Sequence, residues 1–312
     1  VPSSGPVLGG TKVTLTGSNF TAGSLFCKFW SNQSTIDLRT AASFLSSSRA
    51  ACTTPSVSQS QFVSISISLN AQDFSPFFLY MSFFFFPQPV IAQLSPSAGP
   101  AQSGGSTLVR ATNLRASSTF LCQITNVQTS GTVLNSTFAV CPIPQIQPKV
   151  YSTTYKQYYP SEVLPGTFRQ YAIGSYPLEV SIDGQIFTNS KILYTYYDTP
   201  AVDSVVPSIG SKSAVGVVAI IRGRNLLADY GGPYCRYGGV GATKSFIITS
   251  TLLRCNVPTV PLGKTVFVEI SLNGQEFEAQ LSVTYSFMAD APRLQSAVLT
   301  DTFDSININF DV

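Results

Sequence analysis

Apolar and polar residues alternate one by one along much of this chain. TKVTLTG (11–17), FVSISIS (62–68) and TVFVEIS (265–271) are the clearest stretches. A period of two puts every second side chain on one face, which is the mark of a half-buried β-strand. The β-branched Val, Ile and Thr filling these stretches favour extended backbone. Gly, Pro, Asn and Ser interrupt the runs, and no stretch has convincing helical spacing. The pattern predicts an all-β chain of short strands folded as two-sheet sandwiches.

The alternation is itself repeated. SLNAQDF (68–74) returns as SIDGQIF (181–187) and SLNGQEF (271–277). Each heptapeptide lies downstream of a cysteine phrase: CTTP (52–55), CPIP (141–144) and CNVP (255–258). Upstream, PSSGPVLGGTKVTLTGSNF (2–20) resembles PSAGPAQSGGSTLVRATNL (96–114) and, more weakly, PSIGSKSAVGVVAIIRGRNL (207–226). Such self-similarity predicts three tandem domains, 1–90, 91–200 and 201–290, each larger than a solenoid repeat. Residues 291–312 read as the first strands of a further β-domain. Within each heptapeptide, Asn273–Gly274 and Asp183–Gly184 suit a type I′ hairpin turn, which needs positive φ at both central residues. Asn70–Ala71 does not, because alanine resists positive φ, so the first repeat is expected to turn differently.

The second repeat is longer. From its second cysteine to its heptapeptide is 40 residues, against 16 in the other two. The excess is an insertion at about 148–172, with Tyr151, Tyr155, Tyr158, Tyr159 and Tyr171 beside Lys149, Lys156 and Arg169. Tyrosine combines a broad apolar ring with a polar tip and is favoured at interfaces. The insertion is therefore either a partner- or self-binding loop or an extra hairpin folded over its own sandwich. Phe83, Phe84, Phe85 and Phe86 form a second aromatic run. On a strand, two of them face the core and two face outward, toward the next domain or another molecule.

Composition narrows the function classes. Charged residues make up 11% of the 312 residues, against about 25% in an average protein. The net charge is +3, with no basic block, which argues against a nucleic-acid groove. There is no histidine, the commonest general base and metal ligand. No motif calls for a cofactor or a catalytic role. The most apolar stretch, residues 76–87, falls short of the roughly 20 residues that span a bilayer, and prolines bound it.

Six cysteines, Cys27, Cys52, Cys122, Cys141, Cys235 and Cys255, fall as three pairs in sequence order, separated by 25, 19 and 20 residues. Buried thiols and a metal site are alternatives, but the spacing is not that of metal knuckles. Disulfides within each pair predict an extracellular or cell-surface location.

Taken as a set, these phrases resemble the IPT/TIG family, the immunoglobulin-like fold shared by plexins and some transcription factors. The opening is nearly whole in the first repeat (Pro2, Gly5, Gly9, Gly10, Thr11, Gly17, Asn19, Phe20, then Cys27 and Phe29). The second repeat departs from it at Arg110–Ala111, where the family prefers a glycine. The resemblance implies immunoglobulin-like domains used for binding or as spacers, with no active site of their own.

In that compartment the N-x-[ST] sequons at Asn19, Asn32 and Asn135 are candidates for N-linked glycans. Two function classes follow. One is a structural protein whose glycosylated domains self-associate into a filament, surface appendage or coat. The other is the ectodomain of a receptor or adhesion protein that binds a protein or glycan partner.

Overall fold

The computed structural model describes residues 1–32, 34–75, 82–146, 149–152, 158–159, 167–170, 173–213, 215–226, 230–290, 293–299 and 306–311. The fold is all-β, a tandem of immunoglobulin-like sandwiches, with no helix among the described residues. Accordingly, no helix among them is long and apolar enough to cross a membrane. The chain forms two compact units. One comprises Val1–Ser97, Gly104–Ile146 and Gly174–Thr195; the other comprises Ala98–Ser103, Gln147–Ile173 and Tyr196–Val312.

In the first unit, the first repeat is one seven-stranded sheet folded on itself. Its order is Ser4–Pro6, Ser82–Phe86, Gln61–Ser68, Leu25–Trp30, Asp37–Ser46, Arg49–Thr53 and Lys12–Thr16. The long strand Asp37–Ser46 passes from one layer to the other. Its first half pairs with Leu25–Trp30 and its second with Arg49–Thr53. The alternation seen in the sequence then packs Val13, Leu15, Phe29, Val63, Ile65, Phe83 and Phe85 between the layers. The layers are bridged by Cys27–Cys52, with Cα atoms 6.2 Å apart. The edge strand Ser4–Pro6 runs parallel to Ser82–Phe86. There a Cβ on Gly5 would lie 2.3 Å from Thr11 Oγ1, so this position of the opening phrase needs glycine.

Strands of the second repeat complete this unit. Thr132–Val133, Phe138–Ile143, Gly105–Thr112 and Val90–Ser95 lie in one sheet. Val127–Ser130, Leu121–Ile124 and Gly174–Ser181 pair side by side in another. Cys122 and Cys141 join the two sheets, with Cα atoms 5.8 Å apart.

The second unit holds the third repeat as a two-sheet sandwich. One sheet runs Ala201–Val206, Val218–Arg224, Leu252–Asn256, Phe246–Thr249; the other runs Ile209–Ser211, Glu278–Met288, Thr265–Ser271, Tyr234–Tyr237, Val240–Lys244. Between them Ile221, Leu253, Tyr237, Val268, Tyr285 and Phe287 surround the bridge Cys235–Cys255, whose Cα atoms are 6.0 Å apart. The backbone of the second repeat's insertion forms a three-stranded sheet, Tyr158–Tyr159, Lys149–Ser152, Thr167–Gln170. The C-terminal residues form the antiparallel pair Arg293–Leu299 and Ile306–Asp311.

Candidate functional site

The three heptapeptides build the same loop, and it is not a type I′ turn. Asn70, Asp183 and Asn273 each turn their Oδ1 back onto the chain. Asn70 Oδ1 accepts from the N–H of Gln72 and Asp73 at 3.0 and 2.9 Å, and from Ser68 Oγ at 2.9 Å. Asp183 Oδ1 accepts from Gln185, Ile186 and Ser181 at 3.0, 2.9 and 2.9 Å. Asn273 Oδ1 accepts from Gln275, Glu276 and Ser271 at 3.0, 3.3 and 3.1 Å. An Asx side chain thus fixes the loop, with a serine two residues earlier bracing it. Positive φ falls on the next residue alone: 73° at Gly184, 78° at Gly274 and 61° at Ala71. The expectation of a different turn in the first repeat is therefore corrected. The side-chain anchor holds Ala71 in the conformation its glycine counterparts adopt freely.

What covers the loop differs between repeats. In the first unit, Thr11 Oγ1 donates to Asp183 Oδ2 at 2.6 Å. Beside it the Gln185 amide pairs with the backbone of Lys12, accepting from its N–H at 2.9 Å and donating to its carbonyl at 3.1 Å. In the second unit, Asn273 Nδ2 donates to the Ala98 carbonyl at 2.9 Å and Ser103 Oγ to Glu278 Oε1 at 2.8 Å. Leu272 packs there with Ala98 and Tyr197. In both cases the opening segment of one repeat caps the heptapeptide loop of the next. The second position of the loop is buried as a result, with Ile182 at 2% and Leu272 at 1% exposure. In the first repeat the same position, Leu69, is 50% exposed, and Asn70 is exposed too. Leu69 and Asn70 line a surface cleft of about 410 Å³ with Ser18, Asn19, Phe20 and Asp73.

The capping side of the joint also has three versions. Val7, Ala101 and Lys212 donate their N–H to the carbonyls of Phe86, Tyr197 and Met288, at 2.8, 2.9 and 2.8 Å. These bonds align the last strand of each repeat with its own opening segment. Phe86 is buried, with the Arg115 guanidinium 5.8 Å from its ring centroid. Tyr197 is buried and stacks on Tyr230, with centroids 4.8 Å apart. Met288, by contrast, is 51% exposed, and Ile209, the counterpart of the buried Ala98, is 53% exposed.

The remaining sequence candidates are distributed as follows. All six cysteines are paired within their own sandwich. Asn19, Asn32 and Asn135 are exposed. Asn19 holds a φ of 60°, matched by Asn113 at 59° and Asn225 at 57°. Asn135 Oδ1 accepts from Thr137 N, Thr137 Oγ1 and Phe138 N at 2.8–2.9 Å. Phe83, Phe85 and Phe86 are buried, which corrects the expectation of two outward rings. Only Phe84 faces outward, 4.6 Å from exposed Phe62 and 4.8 Å from the Arg115 guanidinium. Tyr155 and Tyr171 lie outside the described residues. Tyr151, Tyr158 and Tyr159 fall on backbone strands of the insertion.

Charge is used sparingly. Arg236 grips Glu269 with two bonds of 2.7 and 2.8 Å and covers the Phe277 ring at 4.2 Å. The hydrogen bonds to Glu269 hold the guanidinium still more firmly protonated. Asp290, accepting from Ser211, is held below the ordinary carboxylate range by hydrogen bonds from Ser211 and Ser213. Among the described residues no cluster of three His, Cys, Asp or Glu side chains could hold a metal.

A family model described as the IPT/TIG domain matches residues 1–80 and 200–287. The stretch between, with the second repeat and its insertion, lies outside that match. No curated protein sequence matches the chain. Among solved structures, the chain is similar to the full extracellular region of plexin A4 (domains 1 to 10). That match has 16% identity and a TM-score of 0.47 and covers 96% of this chain and 24% of the plexin. It is also similar to the Bacteroides ovatus mixed-linkage glucan utilization locus protein SGBP-B, solved with a heptasaccharide (9% identity, TM-score 0.26, 92% of this chain and 68% of that one). A third is a tetra-tandem repeat from the extending region of a large adhesion protein (9% identity, TM-score 0.24, 96% of this chain and 76% of that one). The chain spans about a quarter of the length of the plexin it resembles.

Proposed function

The chain belongs to the IPT/TIG domain family, and from that premise we propose that it is a non-catalytic part of an extracellular or cell-surface protein whose domains act by contact. One observation carries this reading: each sandwich is bridged between its layers by a cysteine pair. Disulfides persist outside the reducing cytosol, and each closes a loop of about 20–25 residues, worth roughly 3 kcal/mol in the chain-entropy model. N-linked glycans at Asn32 and Asn135 would supply hydration that a surface with few charges lacks. The test is expression with a secretory leader, followed by peptide mapping without reduction. Bridged peptides and glycopeptides support the reading; secreted protein with six free thiols sinks it.

Within that class, the structural reading is assembly of the tandem domains into a filament, appendage or coat. It is favoured over capture of an unrelated partner by the repetition of one domain and the scarcity of charge in the chain. The receptor or adhesion reading would place a protein or glycan ligand on the tyrosine-rich insertion. Deleting residues 150–170 separates the two. Assembly that survives the deletion supports the first, and loss of a ligand without loss of assembly supports the second.

A further inference from the structure

We propose that Asn135 carries an N-linked glycan whose first sugars lie in a groove on the outer sheet face of the second repeat, lined by Gln93, Ser95, Leu108, Arg110 and Phe138. The inference rests on the glycan reading above and says where the sugar goes. It begins from a turn that the chain makes three times. Ser46–Ser48, Asn135–Thr137 and Thr249–Thr251 each lead into the strand that holds the second cysteine of its repeat. In each, the last two residues give their carbonyls to a neighbouring segment: Ser48 and Ser47 to Gly17 and Phe20, Thr137 and Ser136 to Ala111 and Leu114, Thr251 and Ser250 to Gly223 and Leu226. In each, a side-chain oxygen of the first residue accepts from the N–H of the third, at 3.3 Å from Ser48, 2.8 Å from Thr137 and 3.2 Å from Thr251.

The turn therefore needs an acceptor oxygen at its first position. Ser46 and Thr249 supply that oxygen. Asn135 supplies it with Oδ1 and adds an amide nitrogen that bonds to no described residue. The same three residues make the sequon, with Thr137 Oγ1 donating to Asn135 Oδ1 at 2.9 Å. Attachment leaves the turn intact. The nitrogen displaces a polyprenyl diphosphate from C1 of a lipid-linked donor sugar, forms the C–N bond and gives up one proton, while Oδ1 keeps its bonds.

Thr137 also lines the groove, which has a volume of about 380 Å³, so the attachment point stands at its rim. The groove follows from strand register. Gln93, Arg110 and Phe138 form one cross-strand row, and Ser95, Leu108 and Val140 form the next. Leu94, Val109 and Ala139, between the rows, are buried in the core, so both rows face outward. Phe138 and Leu108 are half-buried and offer apolar surface. Gln93, Ser95 and Arg110 are exposed, and their side chains bond to no described residue. A sugar ring presents the complementary surface, with C–H groups on its flat face and hydroxyl and acetamido groups at its edge for the amide and guanidinium to meet. The volume falls in the roughly 300–1,000 Å³ range of small-molecule sites, enough for the first sugars.

The experiment uses the full disulfide-bonded chain secreted from a cell line that makes uniform oligomannose glycans, with Gln93→Ala, Arg110→Ala and the double variant. Peptide N-glycosidase is added to the native protein, and glycopeptide mass spectrometry follows sugar release at Asn135 and at Asn32, which does not line the groove. Each rate is divided by the rate at the same site in the denatured chain. Only undocked sugar is open to the enzyme, so native release at Asn135 is expected to be slowed at least about tenfold. The double variant is expected to recover most of that loss, with Asn32 unchanged throughout. Both substitutions fall on exposed positions outside the turn, and matched near-ultraviolet circular dichroism checks the fold. Release at Asn135 as slow in the double variant as in the wild type would mean that the turn, not the groove, hinders the enzyme, and overturns the docking while the glycan stands. Native release as fast as denatured release overturns the docking too, and leaves the groove to another ligand. Secreted chains with no sugar at Asn135 overturn the docking and the glycan reading at that site together. The extracellular reading is untouched by the first two results, since it stands on the disulfide and glycopeptide maps.

Discussion

Thr11 and Asp183, 172 residues apart, meet in a buried hydrogen bond of 2.6 Å from the threonine hydroxyl to the carboxylate. The carboxylate takes four donors in all, three on Oδ1 and Thr11 on Oδ2. A buried carboxylate is tolerated when donors replace its lost hydration, and bonds to a charged acceptor are the stronger kind. Thr11→Val keeps the shape and removes the donor to Oδ2. It is expected to cost about 1–3 kcal/mol, the range for leaving a buried charged acceptor short of a partner. Asp183→Asn is expected to cost less, since Asn70 and Asn273 hold the same loop through the same oxygen. Urea denaturation of the two variants and their double mutant measures both costs and the coupling. Thr11→Val at wild-type stability would mean the bond is not made in solution.

Ala71 carries a backbone conformation that suits glycine. Replacing it by glycine relieves the positive-φ penalty, which is partly offset by the greater freedom of glycine in the unfolded chain. Ala71→Gly is expected to stabilise by a few tenths to about 1 kcal/mol. The reciprocal Gly274→Ala is expected to destabilise by about 1 kcal/mol or more. There the new Cβ would also sit 3.0 Å from Tyr234 Cε2. Thermal melts of the two variants should move in opposite directions; two shifts of one sign would contradict the shared loop geometry.

Tyr237 and Tyr285 cross edge-on in the third core, with centroids 5.4 Å apart, and their hydroxyls are buried without hydrogen-bond partners among the described residues. Burial pushes the Tyr237 phenol well above its ordinary range, and the nearby Tyr285 adds to the shift. The fold therefore prefers the neutral phenol. Its contribution is fully present below the ordinary phenol value of about 10 and is lost as pH rises beyond it, because the unfolded chain ionises first. Tyr237→Phe keeps the ring and removes an unmatched polar atom. It is expected to be neutral or slightly stabilising at pH 7 and to flatten the fall in melting temperature above about pH 10. An unchanged alkaline slope would show that Tyr237 does not titrate on unfolding.

Much of this architecture is legible in the sequence, since alternation, cysteine spacing and the repeated heptapeptide are local signals with direct structural meaning. The alternation of TKVTLTG becomes the buried Val13 and Leu15, and the phrase around Cys52 becomes the strand that faces Cys27. What was not legible depends on neighbours. Ala71 is a poor candidate for positive φ until the bonds to Asn70 Oδ1 are seen. Phe86 breaks the in-and-out rule at the end of its strand, where it is buried beside its neighbour Phe85. Leu69, Ile182 and Leu272 are near-identical choices at one position, and only the presence or absence of a capping segment separates the exposed one from the buried two. The sequence signal was the heptapeptide itself, conserved in kind across the three repeats for a reason that lies outside each of them.

Asn19 lines the surface cleft that Leu69 and Asn70 also line. A branched sugar on its amide nitrogen is far larger than a cleft of about 410 Å³ and would shield the exposed loop beside it. Chains modified at Asn19 are therefore expected to be cut more slowly by chymotrypsin within residues 68–75 than unmodified chains. Thr21→Ala removes the sequon while leaving Asn19 in its left-handed conformation, which Asn tolerates better than most residues. Glycopeptide mass spectrometry gives the occupancy, and limited proteolysis of the wild-type glycoprotein beside Thr21→Ala gives the consequence. Modification at Asn32 and Asn135, which do not line the cleft, is expected to leave that cleavage unchanged. Equal cleavage of the glycosylated wild type and Thr21→Ala would mean that the sugar turns away from the loop.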